Sequence, residues 1–184
     1  MYQITNKVLA ASLKKILETK SLDSVTVSDI TNDCGVTRQT FYYHFKNIYE
    51  LIDWIFTNEA AKALDSARNV YRSWQESFRQ IFEYLLANKT LIYRTYHSNA
   101  REHLRKYLNG EAFDCLVVVF DEWASDFNLL VPESEKKFFA TFYMHAYVGI
   151  LLDWIDTGMM DKPSSIIDKL SKIIWNSPNE WMRK

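Results

Sequence analysis

The stretch from Gly35 to Phe45 carries the side chains with most to offer a ligand: Thr37, Arg38, Gln39, Thr40, Tyr42, Tyr43 and His44, with Lys46 just beyond. The sixteen residues from Cys34 to Tyr49 contain no acid. Short hydroxyl and amide groups at a helix N-terminus can reach base edges and phosphates, and the helix dipole there favours an anion. A glutamine or arginine in a major groove can pair two atoms of one base, which is how sequence is discriminated. Tyrosine hydroxyls and Lys46 suit phosphate contacts, which set register and carry the salt dependence. The chemistry implied is recognition of double-stranded DNA. An ordinary helical hairpin with a polar surface would use similar residue types, and there His44 alone would say little. Turn, cap and charge agree over this one stretch, which favours the DNA reading. Phe41 and Phe45 belong to the core in either case.

Those side chains need elements to hold them. Residues 4 to 19 read as a helix with Leu9, Leu13, Ile16 and Leu17 on one stripe and Val8 and Ala11 beside it. Thr26 and Asp29 make a capping box for a short second helix, with Asp29 near its positive end and Val27, Ile30 and Cys34 facing inward. Gly35 stands where a left-handed residue would end that helix. Thr37 is a good N-cap for a third helix opening at Arg38, and Val36 and Phe41 suit a hydrophobic staple at its entry. Three short helices with a glycine turn between the last two make a helix-turn-helix. A fourth helix is expected from about Asn47 to Ser66, its apolar side made by Ile48, Leu51, Ile52 and Ile55.

The order Thr26 to Ile30, Gly35-Val36-Thr37, Phe41 to Phe45 and Glu50-Leu51 resembles the helix-turn-helix signature of the TetR/AcrR family of bacterial regulators. The resemblance covers about the first 55 residues. It implies an all-α dimer that binds a palindromic operator, with a divergent C-terminal domain. It implies further that Tyr42 and His44 face the DNA backbone, with Arg38, Gln39 and Thr40 near the bases and Thr26 and Tyr43 within the same interface. One position departs. The family usually has lysine at the start of helix four, where this chain has Ile48; Lys46, two residues earlier, could take over that phosphate contact.

The rest of the chain keeps a helical pattern with longer periods. Trp74, Phe78, Ile81, Phe82 and Leu85 form one seam, and Phe113, Leu116, Val117, Phe120 and Trp123 another. A helix from Glu133 to Thr157 is stopped by Gly158, and Pro163 sits where the last helix, about 164 to 175, should start. The ending from Leu152 to Gly158, with Pro163 and a final amphipathic helix, is similar to regulators associated with dihydroxyacetone kinase operons. Two sets of polar-tipped aromatics could line an effector pocket: Tyr93, Tyr96 and His97 with Arg94 between them, and Trp123, Tyr143 and His145 with Trp154. They could equally pack between helices with their tips at the surface. Phe138, Phe142, Ala146, Gly149, Ile150, Ile166, Leu170 and Ile173 make apolar faces wider than one core needs. They are expected to form a two-fold, four-helix interface between two copies of the chain.

Bulk properties agree. Of 184 residues 48% are hydrophobic, enough for a packed core, and only 3 prolines and 4 glycines interrupt them. The expected fold is all-α: an N-terminal helix-turn-helix DNA-binding domain over residues 1–50 and an effector-binding and dimerisation domain over 51–184, with helix four as the connecting strut. The net charge of −1 advertises no global attraction for nucleic acid, so contact must come from a local patch. Cys34 reads as a small core residue, and with Cys115 it fits a reducing cytoplasm without a disulfide framework. No signal-like start and no membrane-spanning run is evident, so a cytoplasmic protein is expected. No cofactor or metal is implied. Zinc-protease, nucleophile-elbow and phosphate-loop motifs are absent, which argues against an enzyme. The expected partners are palindromic double-stranded DNA, a second copy of the chain, and an unidentified small-molecule or protein effector.

Overall fold

Apolar residues at spacings of three and four wind the first sixteen described residues into a helix, α1 (Tyr2–Leu17). The computed structural model describes residues 2–60, 74–126, 128 and 130–176. After α1 come a single 3-10 turn (Leu22–Ser24), α2 (Val27–Cys34), α3 (Arg38–His44) and α4 (Ile48–Ile55), which runs on as a π turn (Phe56–Ala60). Then follow α5 (Trp74–Ala87), α6 (Lys89–Tyr96), α7 (Arg101–Asp126), α8 (Glu133–Asp156) and α9 (Pro163–Asn176). No strand occurs among the described residues. The all-α expectation holds.

The chain separates into two compact units, Met1–Ala63 with Ala87–Tyr107, and Leu64–Leu86 with Leu108–Lys184. The expected boundary at residue 50 was drawn by function, whereas compactness assigns α4, α6 and the first turns of α7 to the same body as the helix-turn-helix. In this first unit α1 is the central post: it packs on α2, α4 and α6, and α2 packs on α3. Leu9, Leu13, Leu17, Ile30, Phe41, Leu51, Ile52 and Ile55 are completely buried, each adding roughly 1.5–3 kcal/mol by leaving water. The stripe of α1 is rotated slightly from the expected one. Ala10, Asn6 and Ser12 are buried with the leucines, while Val8 and Ala11 are exposed. Ser12 is accommodated by donating its hydroxyl to the Ile30 carbonyl at 3.0 Å, tying α1 to α2.

The second unit is built on aromatic packing. Phe78 and Phe82 of α5 lie against Tyr147 and Trp154 of α8, with ring centroids 3.9 Å apart for Phe78–Tyr147 and 4.9 Å for Phe82–Trp154. The Tyr147 hydroxyl donates to the Phe78 carbonyl, and burial pushes its pKa well above the ordinary tyrosine range. Leu116 and Phe120 of α7 and Ile166, Ile167 and Leu170 of α9 are buried as well. α8 has the length and composition of a membrane-crossing helix. Ala140, Met144, Tyr147, Val148, Leu151, Trp154 and Ile155 on it are nevertheless buried, as in the core helix of a globular unit. Gly158 stops α8 as expected, at φ 77°, and Met159 beside it also adopts a left-handed φ of 57°. The Met159 N–H returns to the Trp154 carbonyl at 2.8 Å, satisfying an end of the helix that the glycine alone leaves open.

The expected fourth helix from 47 to 66 is cut differently: α4 is regular only to Ile55, and 61–66 lie outside the described residues. Trp74 belongs to α5, but its side chain also lies outside them.

Candidate nucleic-acid interface

Three N-caps in twenty-two residues fix this part of the chain. Thr26 accepts the Asp29 N–H at 3.1 Å while the Asp29 carboxylate accepts the Thr26 N–H at 2.9 Å, closing the capping box. The Lys20 ammonium is 2.9 Å from the same carboxylate. The Lys20 bond, with the Thr26 backbone and hydroxyl, lowers the Asp29 pKa from 3.8 to about 2. α2 ends at Gly35, whose φ of 69° and ψ of 27° are left-handed. Thr37 then accepts the Thr40 N–H at 3.1 Å and starts α3. Asn47 accepts the Glu50 N–H at 2.9 Å and starts α4, while the Glu50 carboxylate accepts the Lys46 N–H. This last cap is half of a capping box, since the Glu50 carboxylate takes the N–H of Lys46 and not that of Asn47 itself; its signal in the sequence was the Asn47–Glu50 spacing.

With its ends fixed, α3 buries Phe41 completely and Phe45 nearly so. The opposite face turns outward: Thr37, Arg38, Gln39, Tyr42, Tyr43 and Lys46 are exposed, and Thr40 and His44 are half-buried. Tyr42 shows 50% and Tyr43 75% of its surface, a large commitment of aromatic area to the outside. The polar tip of the third helix is therefore accessible and not folded into its own unit.

Tyr42 and Lys46 also line a shallow groove of about 280 Å³ with Leu22, Asp23, Val25, Thr26, Val27, Asn47, Ile48 and Tyr49. The first residues of α2 and α4 lie along it, so the Thr26 and Tyr42 hydroxyls and the Lys46 ammonium offer donors there, with the Asp23 carboxylate at the same groove. Sequence reading had placed Thr26, Tyr42 and Lys46 here but not Asn47 or Tyr49. Ile48, noted as a departure, lines the same groove with an apolar side chain.

Charge around the interface is sorted by pairing. Lys14 is held by Glu59, Lys15 by Asp33 and Lys20 by Asp29. Arg38 and Lys46 have no ion pair among the described residues. They are the cations left to meet an anion on this surface.

The other expected sites fall as follows. Tyr96 is buried and accepts a hydrogen bond from Arg101 at 2.6 Å, whereas Tyr93 and His97 are exposed, with ring centroids 4.3 Å apart. These three belong to the first unit; Trp123 and Tyr143, half-buried, and His145, exposed, belong to the second. Phe120 is 5.6 Å from the Trp123 ring and 5.8 Å from that of Tyr143. On α8, Phe138, Phe142, Ala146 and Gly149 are exposed and Ile150 is half-buried; on α9 Ile173 is exposed. Ile166 and Leu170 are 8% and 6% exposed, so most of their area is already spent in the protomer core and little is left for a partner. Their i, i+4 spacing fitted both roles, and packing within the unit claimed them.

Comparison with known proteins gives the following matches. Residues 9–54 match the model of a family described as bacterial regulatory proteins, tetR family, and residues 72–176 match that of a transcriptional regulator C-terminal region. The HTH-type dhaKLM operon transcriptional activator DhaS of Lactococcus lactis subsp. lactis (strain IL1403) is 34% identical over 86 residues, 47% of this chain and 46% of that protein. The uncharacterized HTH-type transcriptional regulator YxbF of Bacillus subtilis (strain 168) is 26% identical over 160 residues, 83% of this chain and 40% of that protein. The chain thus spans less than half the length of the curated relatives it matches. Among solved structures, a dihydroxyacetone kinase operon activator, DhaS, superposes with a TM-score of 0.75 at 22% identity, covering 94% of each chain. The fatty acid degradation regulator FadR from Bacillus halodurans gives 0.69 at 14% identity, covering 94% of this chain and 95% of its own.

Proposed function

This chain belongs to the tetR family of bacterial regulatory proteins, and we propose that it is a cytoplasmic, sequence-specific DNA-binding regulator acting on a palindromic operator as a homodimer. The observation that carries the reading is the outward polar face of α3, with Arg38 and Lys46 in no ion pair among the described residues, beside an acid-free, doubly capped turn. Arg38, Gln39 and Thr40 are assigned to base edges, and Thr26, Thr37, Tyr42, Tyr43, His44 and Lys46 to the backbone. The homodimer is supported by the exposed apolar run of α8, Phe138, Phe142, Ala146 and Gly149, flanked by Ile150 and joined by Ile173 of α9. A two-fold pair must hold its recognition helices about 34 to 36 Å apart, or at another spacing that follows the helical repeat, to enter successive major grooves.

Effector control follows the same geometry. A ligand that favours one packing of the C-terminal helices changes that separation, and only its differential affinity for the two packings can drive the change. Tyr93, Tyr96, His97, Trp123, Tyr143 and His145 are the candidates for contacting it. The primary reading is repression by operator occupancy, released by an effector. A second reading, activation through a protein co-regulator of a dihydroxyacetone kinase type operon, is favoured by the likeness, in sequence and in fold, to DhaS, which is named as an activator of such an operon.

A gel-shift titration of the DNA upstream of the protein's own gene tests the reading. A discrete complex that resists excess non-specific duplex is expected. Binding that such competitor abolishes at every protein concentration would overturn it.

A further inference from the structure

We propose that the corner between α6 and α7 is a clamp on the helix-turn-helix, in which Asp53 and His103 are positioning residues for operator binding. The proposal rests on the DNA-binding reading above and adds residues remote from the recognition surface. Asn99, in that corner, donates its backbone N–H to the Asp23 carboxylate at 3.1 Å. Asp23 sits in the 3-10 turn, three residues before the Thr26 cap of α2. Four residues beyond Asn99, the His103 Nδ1 lies 2.8 Å from Asp53 Oδ1 on α4, and its ring stacks on Tyr49 at 5.5 Å and 17°. One carboxylate precedes the helix-turn-helix, the other follows it, and a single short stretch of chain grips both.

The corner is itself held. The Arg101 guanidinium lies 4.2 Å from the centre of the Tyr96 ring and donates to that tyrosine's hydroxyl, and Tyr96 is nearly buried. On α7, Glu102 and Arg105 pair with each other at 2.8 Å. The grip also reaches the groove. Asp23 and Tyr49, one on each side of the clamp, line it with Tyr42 and Lys46. Holding Asp23 and Tyr49 to one corner fixes the distance between the N-termini of α2 and α4, and so the width of that groove.

The strength of the tie suits a set-point. His103 and Asp53 side chains are 36% and 48% exposed, so water screens their bond. Half-exposed pairs of this kind shift an equilibrium by up to about fivefold. Losing the tie therefore loosens the module without unfolding it.

The test uses the full-length protein and its operator, with two readouts: operator Kd, and amide hydrogen exchange across residues 48–55 in the absence of DNA. D53A and H103A are each expected to weaken operator binding about threefold to fivefold and to speed exchange in α4. The double variant should be no worse than the weaker single, because both remove one interaction. H103N should recover most of the affinity, since its amide offers a donor in the place of Nδ1. Should circular dichroism show D53A to be unfolded, D53L, close to aspartate in shape but offering His103 no acceptor, replaces it in the same cycle. Wild-type values in both readouts for the single variants, or losses that multiply in the double variant, overturn the clamp. If wild-type protein binds no upstream DNA, the operator reading fails alone, and the exchange cycle still decides whether the clamp exists.

Discussion

At the scale of single residues, the interface divides its labour between side chains that can choose a base and side chains that can only hold a phosphate. Replacing Gln39 or Arg38 by alanine should relax sequence choice, with a loss of about 1–3 kcal/mol on the preferred operator and little change on altered ones. Tyr42→Phe and Lys46→Ala should instead weaken binding to all duplexes alike. Titrating each variant against an operator and its single-base substitutions separates the two classes; identical profiles would refute the division. Asp29 gives a pH signature. Its folded pKa of about 2 lies below the ordinary 3.8, so the stability it contributes is present above about pH 4 and is lost as pH falls toward 2. Acid titration of D29N should lack that part of the wild-type slope. Residues such as Thr26, Gly35 and Thr37 were legible in the sequence because a cap acts within three or four positions. The Asp53–His103 pair was not, because its partners are fifty residues apart and no local rule joins them.

At the scale of elements, helix starts and stops were read well and helix lengths less so. α2 begins and ends where its capping box and glycine placed it. Gly35 sits at φ 69°, and a Cβ there would meet no atom within 4 Å. Gly35→Ala therefore tests backbone conformation alone: a loss of about 1 kcal/mol in chemical denaturation is expected, with operator binding preserved once folded. α4 was expected to run on as one regular rod. It opens into a π turn at Phe56–Ala60 instead, where Phe56 and Ala60 are both buried. A π turn brings residues one position further round than an α turn would, and periodicity templates built on 3.6 residues do not register it. The face of α9 was misdivided for a related reason. Ile166 and Ile173 share a stripe in sequence, yet Ile166 is buried and Ile173 is 61% exposed; a wide apolar face does not say which half meets which neighbour.

At the scale of the whole molecule, composition and the scarcity of breakers sufficed for the all-α class, whereas the partition into units depended on which distant helices share a core. Residues 87–107 join the helix-turn-helix because α6 packs on α1, which no local pattern announces. The proposed homodimer belongs to this scale too. Phe138 and Phe142 are 68% and 59% exposed, so replacing both with glutamate should leave each protomer folded and shift sedimentation from dimer to monomer at micromolar concentration. Operator affinity should fall with it, since one half-site then binds alone. A double variant that still sediments as a dimer would place the interface elsewhere.

Pairing of Lys14, Lys15 and Lys20 with carboxylates leaves Arg38 and Lys46, among the described residues, as the cations available at the recognition face, or four in the proposed dimer. With Arg38 assigned to base edges, the two Lys46 ammonium groups on phosphates correspond to a slope of log affinity on log salt of about −1.8. Such a protein has little hold on random chromosomal sequence, so few copies are sequestered there. A doubling of the cell's internal potassium would then weaken operator binding about threefold to fourfold.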